Sequence, residues 1–292
     1  MKLLLTGAQG QVGQEITALA RAQGWELLAM DRATLDITQA DRVREAIGGF
    51  MPRLVINAAA YTAVDLAESQ TETAFAVNRD GTRHLAQSCA VANIPLLHLS
   101  TDYVFDGAKS TPYVENDPVS PLGVYGESKW AGEEALRANL SRHLIIRVSW
   151  VFGRHGKNFV KTILRLARER ETIGVVADQR GGPTAAPDIA AMLLTLARQA
   201  TDPAFDAWGT YHYRGDPPVS WHQFATTIVS EARQHTPLPL REIRAITTAE
   251  YPTPAKRPAN SILDCQRMRS VLGIPLPDWR QATHTLMAQL LS

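Results

Sequence analysis

Tyr125 and Lys129, in the string Tyr125-Gly126-Glu127-Ser128-Lys129, stand four residues apart. On a helix that spacing puts a phenol and an amine on one face, within reach of each other. An ordinary phenol, with a pKa of about 10, releases its proton poorly at neutral pH. A cation a few ångströms away favours the phenolate, pulls that pKa down and makes the phenol a usable proton donor. The matching chemistry is protonation of a carbonyl oxygen while hydride arrives at its carbon. Ser100-Thr101, closing an apolar run, brings a hydroxyl for the same oxygen.

A hydride carrier needs a cradle, and residues 3–13 read Leu-Leu-Leu-Thr-Gly-Ala-Gln-Gly-Gln-Val-Gly. This is a buried strand, a glycine turn and the start of a helix. Gly7, Gly10 and Gly13, with Gln9, Gln11 and Val12 among them, let backbone N–H groups at a helix N-terminus approach a pyrophosphate. The next strand ends in Met30-Asp31-Arg32. An acid there suits the ribose hydroxyls of NADH, and an adjacent Arg suits the 2′-phosphate of NADPH, so either cofactor is expected. The plain alternative makes Arg32 a solvated loop cation. Asp36 and Ile37 are expected to flank the adenine. Ala58, Ala59 and Ala60 follow Asn57 and are small enough for the cofactor to lie across them. Lys129 can also donate to the nicotinamide ribose. Trp150, after the run 145–149, is either core packing or an apolar wall for a sugar ring.

These groups need a scaffold that collects strand ends. Short apolar runs at 3–5, 27–30, 54–56, 96–99 and 144–148 read as strands buried on both faces. Helical spacing fills 11–23, 39–48, 71–92 and 126–139, with a turn-like Asp80-Gly81 that predicts a break or kink in the third. The alternation predicts an α/β fold with a doubly wound parallel sheet. After Trp150 the pattern loosens into helices at 158–170, 187–199 and 220–233 and strands at 210–213 and 241–246. The expected organisation is a dinucleotide-binding domain over 1–150 and a smaller, mainly substrate-binding lobe over 151–292, with a possible return to the first near 187–199.

The totals exclude several classes. A chain of 292 residues with net charge +1 gives no electrostatic reason to expect nucleic acid or an anionic membrane. No apolar run approaches the roughly 18–20 residues of a membrane span. The leucines near Met1 are interrupted too soon for a signal peptide. Cys89 and Cys265 read as reduced thiols of a cytoplasmic protein, and no histidine spacing suggests a metal.

The chain resembles the extended short-chain dehydrogenase/reductase family over nearly its whole length. The likeness is carried by the glycine string 7–13 and by Asn57-Ala58-Ala59-Ala60-Tyr61-Thr62-Ala63-Val64-Asp65. It continues through Ser100-Thr101-Asp102-Tyr103-Val104-Phe105, the Tyr125–Lys129 string, Arg147-Val148-Ser149-Trp150-Val151, Asp178-Gln179 with Pro183-Thr184, and Tyr251-Pro252-Thr253-Pro254-Ala255 with Arg257-Pro258. Within that family, the likeness implies the branch that reduces the C4 ketone of dTDP-4-dehydro-L-rhamnose to dTDP-L-rhamnose, using NADPH or NADH. By position it implies catalytic roles for Thr101, Tyr125 and Lys129. Thr101, Asp102, Tyr125 and Trp150 would contact the sugar, with Thr62 and Val64 nearby. It leaves open another nucleotide-sugar epimerase or reductase, or a non-catalytic regulatory subunit of this fold. Some members bind magnesium at a dimer contact, through a first-helix Glu and an acid after the Pro-Thr pair. Glu15 matches the first. Pro187 stands at the second, with Asp188 one place on and expected to point away, and Glu15 alone reads as a solvated charge. The expectation is a monomer or a weak, metal-independent homodimer.

Overall fold

Short apolar runs and amphipathic segments pair off as strands and helices through the first half of the computed structural model, which describes residues 1–291. In order come β1 (Lys2–Thr6), α1 (Gln11–Ala22), β2 (Glu26–Met30), α2 (Ala40–Phe50) and β3 (Leu54–Asn57). Short helices α3 (Val64–Ala67) and α4 (Thr71–Phe75) lead through a π-helical turn (Ala76–Gly81) into α5 (Thr82–Ala92). β4 (Leu96–Thr101), α6 (Val124–Asn139) and β5 (His143–Val148) complete this half. The second half holds β6 (Val151–Phe152), α7 (Phe159–Glu169), β7 (Thr172–Val176), β8 (Arg180–Gly181), β9 (Thr184–Ala185) and α8 (Ala186–Ala200). It continues with β10 (Gly209–Tyr213), β11 (Val219–Ser220), α9 (Trp221–Arg233), β12 (Glu242–Ile246), α10 (Gln266–Leu272) and α11 (Trp279–Leu291).

Six strands form one sheet in the order β10-β5-β4-β3-β1-β2, every pair parallel. Parallel strands need helical crossovers, so both faces are covered and successive residues of a strand enter different cores. Leu3, Leu5, Ile56, Leu97 and Ile146 pack with Ile16, Ile189 and Leu193 from α1 and α8. Leu4, Val55, Leu96 and Ile145 pack with Val43, Ile47, Leu85 and Leu136 from α2, α5 and α6. From β1 the chain runs to one side through β2, then crosses to β3 on the other. That reversal opens a crevice at the strands' carboxyl ends, where such sheets bind ligands.

The differences from expectation have local causes. β2 is only half-buried, because as the edge strand it has one neighbour. The run 71–92 does not break at Asp80-Gly81 but takes the wider π turn there. The strand expected at 210–213 in the second lobe instead extends the main sheet beside β5.

The second lobe is built on the parallel pair β7 and β12 with α7, α9 and α11. Its core gathers Phe152, Ile163, Phe224, Ile228 and Trp279. Ser220 starts α9 through a capping box with Gln223, two reciprocal bonds that meet otherwise unpaired donors. Among the described residues no helix is long and apolar enough to cross a membrane.

Candidate active site

The glycine turn after β1 is wedged against the end of β3. Gly7 has φ +75°, and a Cβ on it would lie 2.5 Å from the backbone of Ala58 and Ala59. Only glycine allows both the left-handed backbone and that approach. Gly10 begins α1 without a side-chain cap, and the first turn carries no acid. The first-turn N–H groups are therefore free for an anion, aided by the helix dipole, and the turn fits a dinucleotide's diphosphate. Val12 is buried, so it offers the backbone alone. The Gln9 carbonyl accepts from Gln14 Nε2 at 2.9 Å. Gln11 Oε1 accepts from Asn158 Nδ2 at 2.9 Å, tying the cradle to the start of α7.

At the end of β2, the backbone N–H and hydroxyl of Thr34 both donate to Asp31 Oδ1 at 2.9 Å and hold its carboxyl below the ordinary range. Arg32 is 82% exposed, with only a loose 3.9 Å approach to Asp36 Oδ2, and is free to reach a phosphate. Asp36 Oδ1 accepts from the backbone and hydroxyl of Thr38. The Ile37 side chain is buried in the core against Gly81, and its carbonyl contacts His84 Nδ1, so only its backbone is left to face a ligand. Ala58, Ala59 and Ala60 stay half-buried along the crevice.

Thr101 ends β4, and Tyr125 and Lys129 come to it on α6. The approach is close: a Cβ on Gly126 would lie 2.2 Å from the Tyr103 carbonyl oxygen. Thr101 Oγ1 donates to Asp102 Oδ1 at 3.1 Å and accepts the Tyr103 N–H at 3.2 Å. Tyr103 and Tyr125 pack edge to face, ring centroids 5.5 Å apart. Burial pushes the Tyr125 phenol up to about 12, the Thr101 hydroxyl working against the shift and Asp102 adding to it. This reverses the expected lowering by Lys129. The Lys129 amine turns instead to the Leu99 carbonyl at 2.7 Å and to His98 Nε2 at 3.2 Å. Burial pulls it down to about 8, against the opposing pull of Glu133. A phenol held protonated is the state that proton donation requires.

Asp102 is the clearest sign of a ligand. It is buried, and its Oδ2 is the one enclosed side-chain polar atom among the described residues that has no partner. Burial raises its carboxyl to about 7. Such an orphan needs an explanation, and an incoming hydroxyl supplies one. Thr62 is exposed and Val64 half-buried at the start of α3. Beside them Asp65 Oδ2 meets Arg257 Nη2 at 2.9 Å and joins the two lobes.

Trp150 is half-buried and packs against the core of the second lobe. Its indole stacks on Trp221 with centroids 3.5 Å apart and planes 7° apart, and Nε1 donates to Ser261 Oγ at 3.2 Å. Its φ of +48° is a left-handed conformation costly for a residue with a side chain. Trp221 continues into a cavity of about 780 Å³ lined also by Phe159, Arg244, Tyr251 and Arg257. Apolar ring faces beside guanidinium groups suit a base and its phosphates.

Several site residues carry no sequence motif. Asn78, in the π turn, accepts the Tyr61 N–H at 2.8 Å and donates to Ser128 Oγ at 2.9 Å, clamping the loop after β3 to α6. An Asn in mid-helix, a poor helix former, was the available signal. His98 and Trp221 looked like ordinary core residues.

Glu15 is not a solvated charge. It meets Arg154 at 3.2 Å and His155 at 3.4 Å. Nor does Asp188 point away, since it lines a cleft of about 420 Å³ together with Glu15.

A cradle at the switch point and a phenol facing a strand-end hydroxyl, with a buried lysine one turn further along the same helix, mark an oxidoreductase of the dinucleotide-binding, Tyr-x-x-x-Lys class. Residues 1–292 match the family model described as RmlD substrate binding domain, and the chain belongs to that family. It is 47% identical to the dTDP-4-dehydrorhamnose reductase of Aggregatibacter actinomycetemcomitans over 98% of each chain. Its fold is similar to that of a dTDP-4-dehydrorhamnose reductase from Clostridium acetobutylicum, with TM-score 0.93, 33% identity and 100% of both chains covered. It is also similar to the Bacillus anthracis reductase solved in complex with NADP, with TM-score 0.91 and 33% identity, covering 99% of this chain and 100% of that one.

Proposed function

We propose that this protein reduces the C4 ketone of dTDP-4-dehydro-L-rhamnose to dTDP-L-rhamnose with NADPH or NADH, as the last step of dTDP-rhamnose synthesis in the cytoplasm. The observation that carries this reading is the convergence of Thr101, Tyr125 and the unpartnered Asp102 Oδ2 beside the glycine cradle. The whole-length likeness to reductases of that name supports it.

The first turn of α1 holds the diphosphate, Asp31 and Arg32 the adenosine end, and Ala58, Ala59 and Ala60 line the path between them. The bound nicotinamide supplies the hydride that reaches C4. Tyr125 gives its phenolic proton to the ketone oxygen as charge develops there, and Thr101 donates a hydrogen bond to the same oxygen. An alkoxide is a stronger base than a phenolate, so a phenol held at about 12 still transfers its proton downhill. Lys129 orients the nicotinamide ribose and stabilises the phenolate left behind. Asp102 accepts a sugar hydroxyl at Oδ2, and Trp150 with Trp221 closes the sugar site. The protein works as a monomer or a weak, metal-independent homodimer.

The test is net NADPH oxidation with dTDP-4-dehydrorhamnose, compared with UDP-4-keto sugars. Stoichiometric oxidation with the dTDP sugar supports the reading. Turnover without net loss of NADPH would assign an epimerase instead.

A further inference from the structure

Beneath the site, four polar side chains form a chain across the sheet. Thr6 of β1, Asn57 of β3, His98 of β4 and Lys129 of α6 are each no more than 2% exposed. Thr6 Oγ1 donates to Asn57 Oδ1 at 2.7 Å, and the Ala59 N–H reaches the same oxygen at 3.0 Å. A backbone N–H can only donate, so this contact fixes which end of the Asn57 amide is oxygen. Asn57 Nδ2 therefore faces His98 Nδ1, at 3.0 Å. The amide nitrogen offers only hydrogens, so Nδ1 must present its lone pair. The proton of the neutral imidazole then sits on Nε2.

Nε2 lies 3.2 Å from Lys129 Nζ. An N–H aimed at an ammonium would put two donors face to face. The lone pair of a neutral amine accepts it, while the amine's own hydrogen goes to the Leu99 carbonyl. We propose that His98 is a positioning residue for Lys129: through a tautomer fixed by Asn57, it favours the neutral amine over the ammonium and so sets the pH at which Lys129 becomes a cation. The inference rests on Lys129 serving the proton transfer at Tyr125.

The surrounding charges leave this bond its role. Glu133, on α6, favours the ammonium but is itself paired with Arg147 of β5 and Arg137 of α6. Arg137, His143 of β5 and Lys129 itself all oppose a charge on His98, after burial, which holds the imidazole neutral well below its usual range. Neither Asp102 nor Tyr125 shifts the charge balance of Lys129 or His98.

Two measurements on the free protein test the idea, and neither depends on turnover. In ¹⁵N-histidine spectra, assigned with His98→Gln, the His98 ring should carry its proton on Nε2 throughout the neutral range. Asn57→Asp places an acceptor opposite Nδ1, so the proton should move to Nδ1 and Nε2 should become an acceptor for an ammonium. The Lys129 titration, read from ¹³C-labelled lysine, should then rise by about one pH unit, a tenfold change in proton affinity. The alkaline limb of kcat/KM should move with it. A merely structural Asn57 would lower kcat or Tm and leave that limb in place. An Nδ1–H tautomer in the wild type, which needs no variant to observe, overturns the proposal. So does an unmoved Lys129 titration once the tautomer has reversed. Absence of NADPH oxidation by the wild type would instead strike the reductase reading and leave the spectra to stand.

Discussion

Asn78 Nδ2 lies 2.9 Å from Ser128 Oγ, and through that bond a π turn in one helix sets the position of another. The same amide holds both backbone groups of Tyr61, so one side chain fixes the loop after β3 against the helix bearing Tyr125 and Lys129. Asn78→Ala should lower stability by about 1–3 kcal/mol, the range for stranding buried hydrogen-bonding groups. It should also reduce kcat by loosening α6. Unchanged Tm and kcat would show that the clamp carries neither load.

Tyr125→Phe removes the proton donor while leaving the ring's packing on Tyr103 in place. General-acid assistance is worth about 10²–10⁴-fold, so kcat should fall by that order with NADPH affinity kept. More than half of the wild-type kcat surviving would mean the proton comes from elsewhere.

Asp102→Asn should separate stability from function. Burial raises this carboxyl in the folded protein to about 7, above its unfolded value, so its favourable contribution is complete at acid pH and fades as pH rises toward 7. The Asn variant escapes that loss. Its Tm relative to the wild type should climb from about pH 4 to about pH 8, while kcat/KM for the nucleotide sugar falls. A Tm difference that is flat with pH would show that Asp102 does not titrate in this window.

Arg32→Ala should weaken NADPH and spare NADH. The guanidinium is exposed and only loosely placed near Asp36, so it is available to a 2′-phosphate. A charge-assisted hydrogen bond gives roughly ten- to hundredfold in affinity. Equal losses for both cofactors would reduce Arg32 to a surface cation.

Activity should be insensitive to EDTA, and sedimentation should not change on adding magnesium. Glu15, which the family's metal contact would use, is already paired with Arg154 and lies 3.4 Å from His155. Magnesium would have to displace both and recruit Asp188, whose carboxyl is raised by burial. A dimer that dissociates on chelation would show that it does so.

Much of the doubly wound sheet was legible in one dimension, because strands buried on both faces must be short continuous apolar runs and their crossovers must be amphipathic. The glycine turn and the Tyr125–Lys129 pair were legible too, since a cradle and a shared helix face depend on local spacing alone. Tertiary structure decided everything that depends on what lies opposite. Nothing near Ile37 in the chain says that Gly81 leaves room for it in the core. The strand 210–213 reads the same in either lobe, and only its free neighbour β5 places it in the main sheet. Lys129 was expected to face the phenol, yet a buried amine goes where acceptors are, to Leu99 and His98 on a strand some thirty residues earlier in the chain. Local pattern specifies which residues share a face. Burial and hydrogen-bond partners, which set protonation and orientation, come from residues that only folding brings together.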